Sequence, residues 1–215
     1  LRLAQIGPKW QSCTTFGTSF GYLAAEEADD YPNKKNAGEV IHEMIEVISR
    51  NGNFLINIGP RADGTIPEWQ VERLRAMGDW LKINGAAIYG SRYWHTTGQA
   101  NAHLAFTTNG KKLYAISLQQ PQPFTIEATK GWTAADVESV RLLGSEGKVE
   151  WAIDENGLRI TPPSDFGASH HAWAFEILTT KNQHTPADLG NALQEKRQTV
   201  IHSEDSTDYS DEKKK

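Results

Sequence analysis

Apolar side chains recur at helical spacing in residues 37–50, where Val40, Ile41, Met44, Ile45 and Ile48 form one stripe and Glu39, Glu43 and Glu46 take the other side. The pattern predicts an amphipathic helix covering something flat, ended by Asn51-Gly52, both of which tolerate a left-handed C-cap. An apolar run from Phe54 to Ile58 follows and breaks at Gly59-Pro60. A run without alternation predicts a strand buried on both faces, in a parallel sheet or barrel. Pro60 has no N–H for a ladder, Gly59 lets the backbone bend, and Asn57 can cap loose backbone groups. A second helix is predicted from Thr65, where Thr65-Ile66-Pro67-Glu68 reads as a capping box. Val71, Leu74 and Leu81 continue on one face with Trp80 flanking, and Asn84-Gly85 closes it. Helix, strand and helix with short links read as consecutive units of an α/β fold.

After about residue 95 the pattern changes. Short β-rich runs at 103–107, 112–118, 123–128, 137–143, 148–153, 156–161 and 172–178 are separated by Asn-Gly, Pro and Gly signals, which predicts an antiparallel sandwich. Within KKLYAISL, Leu113, Ala115 and Ser117 alternate with Tyr114, Ile116 and Leu118. From Thr180 the chain is polar and ends in a charge run, the pattern of a disordered tail. The expected organisation is therefore α/β followed by all-β: 1–95, 96–179, and a tail at 180–215. One or two α/β units cannot bury a parallel strand on both faces. Residues 1–95 are thus expected to be the terminal part of a (β/α) barrel, with Asn57–Pro60 at the C-terminal rim where barrel enzymes keep their sites. The start on Leu1 instead of Met fits processing or truncation.

Charge narrows the ligand classes. With 22 basic against 27 acidic residues and a net charge of -5, no strong field attracts nucleic acid or an anionic membrane. Neutral ligands such as sugars stay open, and 7 Trp, 6 Tyr and 7 Phe suit sugar rings as well as cores. Cys13 is the single cysteine, so no intrachain disulfide or Cys/His zinc site is expected, and no metal or cofactor is implied. No apolar run approaches the roughly 20 residues of a membrane span. The compartment is left open.

The succession KWQSCTTFGTSFGY, VIHEMIEVISRNGNFLINIGPRADGTIP and LRAMGDWLKINGAAIYGSRYW resembles the closing part of an α-L-fucosidase of glycoside hydrolase family twenty-nine, over roughly residues 7–94. The β-rich zone resembles that family's C-terminal sandwich. The resemblance implies a somewhat irregular (β/α) barrel fused to a β-sandwich, which removes terminal α-L-fucose from fucosylated glycans with retention. Such chemistry uses two carboxyl groups about 5 to 5.5 Å apart, one as nucleophile and one as acid/base. The resemblance implies that both lie upstream of Leu1, so a missing N-terminal barrel half, or a homo-oligomer, is the expected partner, and the chain alone is expected to be inactive.

Where many relatives read Trp-Glu-x-Cys, this chain has Trp10-Gln11-Ser12-Cys13. Gln11 has no exchangeable carboxyl proton and cannot be a general acid, though it can position a hydroxyl or a catalytic neighbour. The resemblance implies three substrate-binding residues: Phe20 against the C6 methyl of fucose, and Trp10 with Gln11 as support near the pocket floor. Asp63 reads as turn geometry in Ala-Asp-Gly. Glu26, Glu27, Asp29 and Asp30 read as a solvated loop face, and His42 and His170-His171 read as structural. In the sandwich, Trp173 reads as core, and Trp132, more than Trp151, as exposed and able to meet longer glycans. Two other readings are a carbohydrate-binding or scaffold remnant that does not cleave, and a piece with no independent stable fold.

Overall fold

In the computed structural model, which describes residues 9–183, β1 (Trp10–Thr15) and β2 (Gly52–Asn57) pair in parallel, Trp10 opposite Gly52 and Thr15 opposite Asn57. Between them in sequence lies α1 (Ala37–Ser49), and α2 (Glu68–Asn84) follows β2. Helix α1 starts where Asn36 accepts from the Glu39 N–H and the Glu39 carboxylate accepts from the Asn36 N–H, a reciprocal cap. It ends at the Arg50 C-cap, after which Asn51 turns left-handed at φ 66°. The stripe Val40, Ile41, Met44 and Ile45 is buried as its spacing predicts.

The capping box expected at Thr65 is absent, because the Thr65 hydroxyl and N–H both donate to Asp63. Helix α2 begins instead at Glu68 behind Pro67, with no side-chain cap. Its far end runs into a 3-10 turn, and the C-cap Gly85 is right-handed. The buried Asn84 side chain does the joining there: it donates to Trp80 O and Ser169 Oγ and accepts from the Ala174 N–H. The Trp80 indole donates to Ala172 O at 2.9 Å.

All seven predicted β-runs form strands, and an eighth, β3 (Arg92–Gln99), precedes them. With β4 (Leu104–Asn109), β5 (Lys112–Ser117), β6 (Phe124–Ile126), β7 (Val137–Leu142), β8 (Glu150–Asp154), β9 (Gly157–Thr161) and β10 (Trp173–Thr179), two antiparallel sheets arise, ordered β3-β4-β5-β10-β7 and β6-β9-β8. Alternation in β5 sends Leu113 and Ala115 into the core between the sheets, and Tyr114 and Ile116 into a second core against the helices. The five-stranded sheet is thus a shared layer, with α1 and α2 on one face and the three-stranded sheet on the other. The described residues belong to one compact unit. Thr180 and Gln183 donate backbone N–H bonds to Asp136 and Gly110, so the sandwich continues past residue 179; the rest of the expected tail lies outside the described residues.

Strand β2 departs from the expected double burial. Phe54, Ile56 and Ile58 pack on the helix core, whereas Leu55 is 48% exposed and Asn53 is open. On β1, Gln11 and Cys13 share that uncovered face. The physical reason is the neighbour count: the parallel sheet has two strands among the described residues, and nothing there closes over its second side.

Candidate functional site

The loops leaving the C-terminal ends of β1 and β2 meet. From β2, the Asn57 amide donates to Phe20 O at 2.5 Å, and the Gly59 N–H donates to the buried Gln70 carboxamide at 3.0 Å. A Cβ on Gly59 would lie 3.0 Å from the Gly21 and Tyr22 backbone, so this corner needs glycine for close approach. From β1, the Thr15 hydroxyl donates to Ser19 O, and Thr18 donates through N–H and hydroxyl to the Glu26 carboxylate at 2.6 and 2.8 Å. Glu26 is 2% exposed, not the solvated residue its acidic run suggests; its carboxylate also fills the space a side chain at Gly17 would need.

Two aromatic side chains stand out from this platform: Phe20 at 57% and Tyr22 at 40% exposure. The Tyr22 hydroxyl donates to Glu27 Oε1 at 3.1 Å. Arg61 reaches the same carboxylate with both prongs, Nε to Oε1 at 2.6 Å and Nη2 to Oε2 at 2.7 Å. The Arg61 bonds, with a further one from Tyr22, hold the Glu27 carboxyl below its ordinary range against some opposing desolvation. Asp63 is lowered likewise, by the Thr65 N–H and hydroxyl it accepts from, as a turn residue should be.

The three expected site residues do not sit together. Phe20 lies in the loop after the C-terminal end of β1, whereas Trp10 begins the strand, whose two ends are roughly 16 Å apart at about 3.3 Å per step. Alternation turns Trp10 and Gln11 to opposite faces: Gln11 is exposed on the uncovered side, and Trp10 packs toward Gly52 while its indole donates to Arg50 O at 2.9 Å. A cavity of 410 Å³ opens at that N-terminal end, bounded by Lys9, Phe54, Tyr89 and Arg92, and it contains no residue of the Phe20 loop.

His42 meets the His171 backbone carbonyl at 2.7 Å, a structural tie between α1 and the segment before β10. Trp132 is half-buried and edge-on to Trp94 at 6.3 Å, which corrects the expectation that it is exposed. Trp151 and Trp173 also pack on the sandwich core. No cluster of metal-ligating residues occurs among the described residues. The Glu27–Arg61 pair and the Gln70–Gly59 bond were not foreseen; their partners are 34 and 11 residues apart, and no local pattern marks either.

Comparison with known proteins agrees with this arrangement. The profile described as alpha-L-fucosidase matches residues 3–86, and that of the alpha-L-fucosidase C-terminal domain matches 97–178. Human tissue alpha-L-fucosidase is 34% identical over 180 residues, which is 80% of this chain and 38% of that protein. The Dictyostelium discoideum alpha-L-fucosidase is 40% identical over 114 residues, 53% of this chain and 24% of that one. Among solved structures, the Thermotoga maritima alpha-fucosidase in complex with fucose superposes with a TM-score of 0.68 at 27% identity, covering 81% of this chain and 41% of that one. Alpha-L-fucosidase isoenzyme 1 from Paenibacillus thiaminolyticus gives 0.67 at 26%, covering 80% and 40%. The chain therefore spans about two-fifths of the length of such relatives. Motifs on the loops at the strand ends, the sandwich behind them and both adjoining profiles agree that the chain belongs to the α-L-fucosidase family.

Proposed function

We propose that this chain forms the closing part of the catalytic barrel, up to the start of β3, and the C-terminal sandwich, from β3 to just past β10, of a retaining α-L-fucosidase. The observation that carries the reading is the uncovered face of the β1–β2 sheet, with Gln11, Cys13, Asn53 and Leu55 open, ending at a loop that presents Phe20. A parallel strand pair of this kind requires further strands to cover it. Family membership supplies the identity of the enzyme those strands complete.

On this reading Phe20 meets the C6 methyl of fucose, the apolar edge of an otherwise hydroxylated ring. Gln11 points into the barrel interior and orients a hydroxyl or a catalytic neighbour without acting as an acid. Trp10 supports Gln11 indirectly, by fixing the start of β1 to Arg50. The nucleophile and acid/base come from outside this chain. In support, three carboxylates of the two loops that meet at Phe20 are already engaged: Glu26 by Thr18, Glu27 by Arg61 and Asp63 by Thr65. Those engagements also favour a second reading, a fucose-binding remnant without turnover. Release of 4-nitrophenol from its α-L-fucoside separates the two. Activity on joining the chain to the remaining barrel supports the enzyme, and fucose binding without release supports the remnant.

A further inference from the structure

Phe20 and Tyr22 are 57% and 40% exposed, so burial alone does not fix either side chain. Their orientation must come from the polar contacts that tie residues 17–27 to the chain leaving β2. At the near end the Asn57 amide holds Phe20 O, and Gly59 lies against Gly21 and Tyr22. At the far end the tie is the two-pronged Glu27–Arg61 pair, with the Tyr22 hydroxyl on the same carboxylate. Arg61 is itself braced: its N–H donates to Thr65 O at 2.8 Å and its Nη1 to Thr65 Oγ1 at 3.1 Å, while Thr65 is held by Asp63. A continuous chain Asp63–Thr65–Arg61–Glu27–Tyr22 thus crosses from one loop to the other.

An isolated surface ion pair contributes little, because ordering two long side chains offsets the attraction. Here the turn already orders Arg61, and the planar fork matches the carboxylate through two bonds. We propose that Glu27 and Arg61 are positioning residues of the sugar site, holding the Phe20–Tyr22 loop in the geometry that receives the methyl edge and adjoining face of fucose. The inference rests on the reading of Phe20 as a fucose contact. Neither residue touches the reacting atoms in this role. Lysine cannot replace Arg61, because an ammonium is a point charge without the fork.

The test uses the protein with its complete catalytic domain, comparing wild type with Arg61→Ala, Arg61→Lys, Glu27→Ala and the double alanine variant. Both pair members are about one-third exposed, so the variants are expected to fold, and unchanged melting of the sandwich checks this. Each single alanine variant is expected to raise KM for 4-nitrophenyl α-L-fucoside about tenfold with a smaller change in kcat, and the double variant to be no worse than either. Arg61→Lys is expected to resemble Arg61→Ala. Amide hydrogen exchange at residues 18–23 should quicken in every variant while α1 and the sandwich stay unchanged. An active wild type whose variants keep KM and loop exchange, or whose single effects multiply in the double variant, overturns the inference. A wild type that does not hydrolyse the fucoside overturns the functional reading instead, and unaltered exchange then overturns the clamp independently.

Discussion

Under the proposed function Phe20 meets the methyl group that is the one apolar corner of fucose, and burying a methyl contributes about 0.8 kcal/mol. In the complete enzyme, Phe20→Ala is therefore expected to reduce the preference for an α-L-fucoside over the α-L-galactoside, which has a hydroxyl at C6, by about fourfold. Competition kinetics with the two substrates measures it, and an unchanged preference means the ring contacts something else. A different residue contributes to the pH dependence of stability. Glu176 is buried within the five-stranded sheet, and desolvation pushes its pKa up, but hydrogen bonds from Arg141, Lys112 and Tyr114 outweigh this and leave it below the ordinary 4.5. Its stabilising effect is complete above the unfolded-state value and is lost as pH falls through the lower folded-state value. Melting curves are expected to fall below about pH 4.5, and Glu176→Gln to flatten that dependence while lowering stability at pH 7. The expectations for Phe20 and Gln11 come from a family motif that is contiguous in the chain. The Arg61–Glu27 pair could not be read that way, because its meaning depends on two loops meeting in space.

Helices, strands and corners obey local rules where those rules are uncontested. The apolar stripe of α1 and the turn-bounded runs of the sandwich follow from spacing alone, and all appear in the structure. β3 carries no sequence signal, since RYWHTTGQ has no apolar alternation and its pairing with β4 is irregular between Tyr93 and Gly98. The start of α2 differs from its sequence pattern because two partners compete for Thr65, and Asp63, two residues away, wins it. Conversely Asn36 and Glu39 cap α1, and Asn36→Ala is expected to cost about 1 kcal/mol by denaturant unfolding. Gly59→Ala makes a more local prediction. The added Cβ, 3.0 Å from the Gly21 and Tyr22 backbone, should displace the Phe20 loop and cost about 1–3 kcal/mol, with weaker fucose binding. Binding and stability both equal to wild type would show that the two loops part easily.

Among the described residues the molecule packs a sandwich and two helices and leaves one face of the parallel sheet uncovered. The run Phe54–Ile58 predicts that sheet, but a run cannot say whether its covering layers lie in the same chain, and among the described residues one face has none. The open face makes Cys13 a reporter. Exposed on β1, it should react readily with a thiol reagent, and the further barrel strands of the proposed function should protect it once supplied. Equal reactivity in both states would mean that the sheet stays open. The most direct measurement is hydrolysis of 4-nitrophenyl α-L-fucoside by residues 1–215 alone and after joining to the further barrel strands that the proposed function calls for. The expected result is no turnover alone and turnover when joined; fucoside cleavage by this chain alone, through a carboxylate pair of its own, would contradict the account.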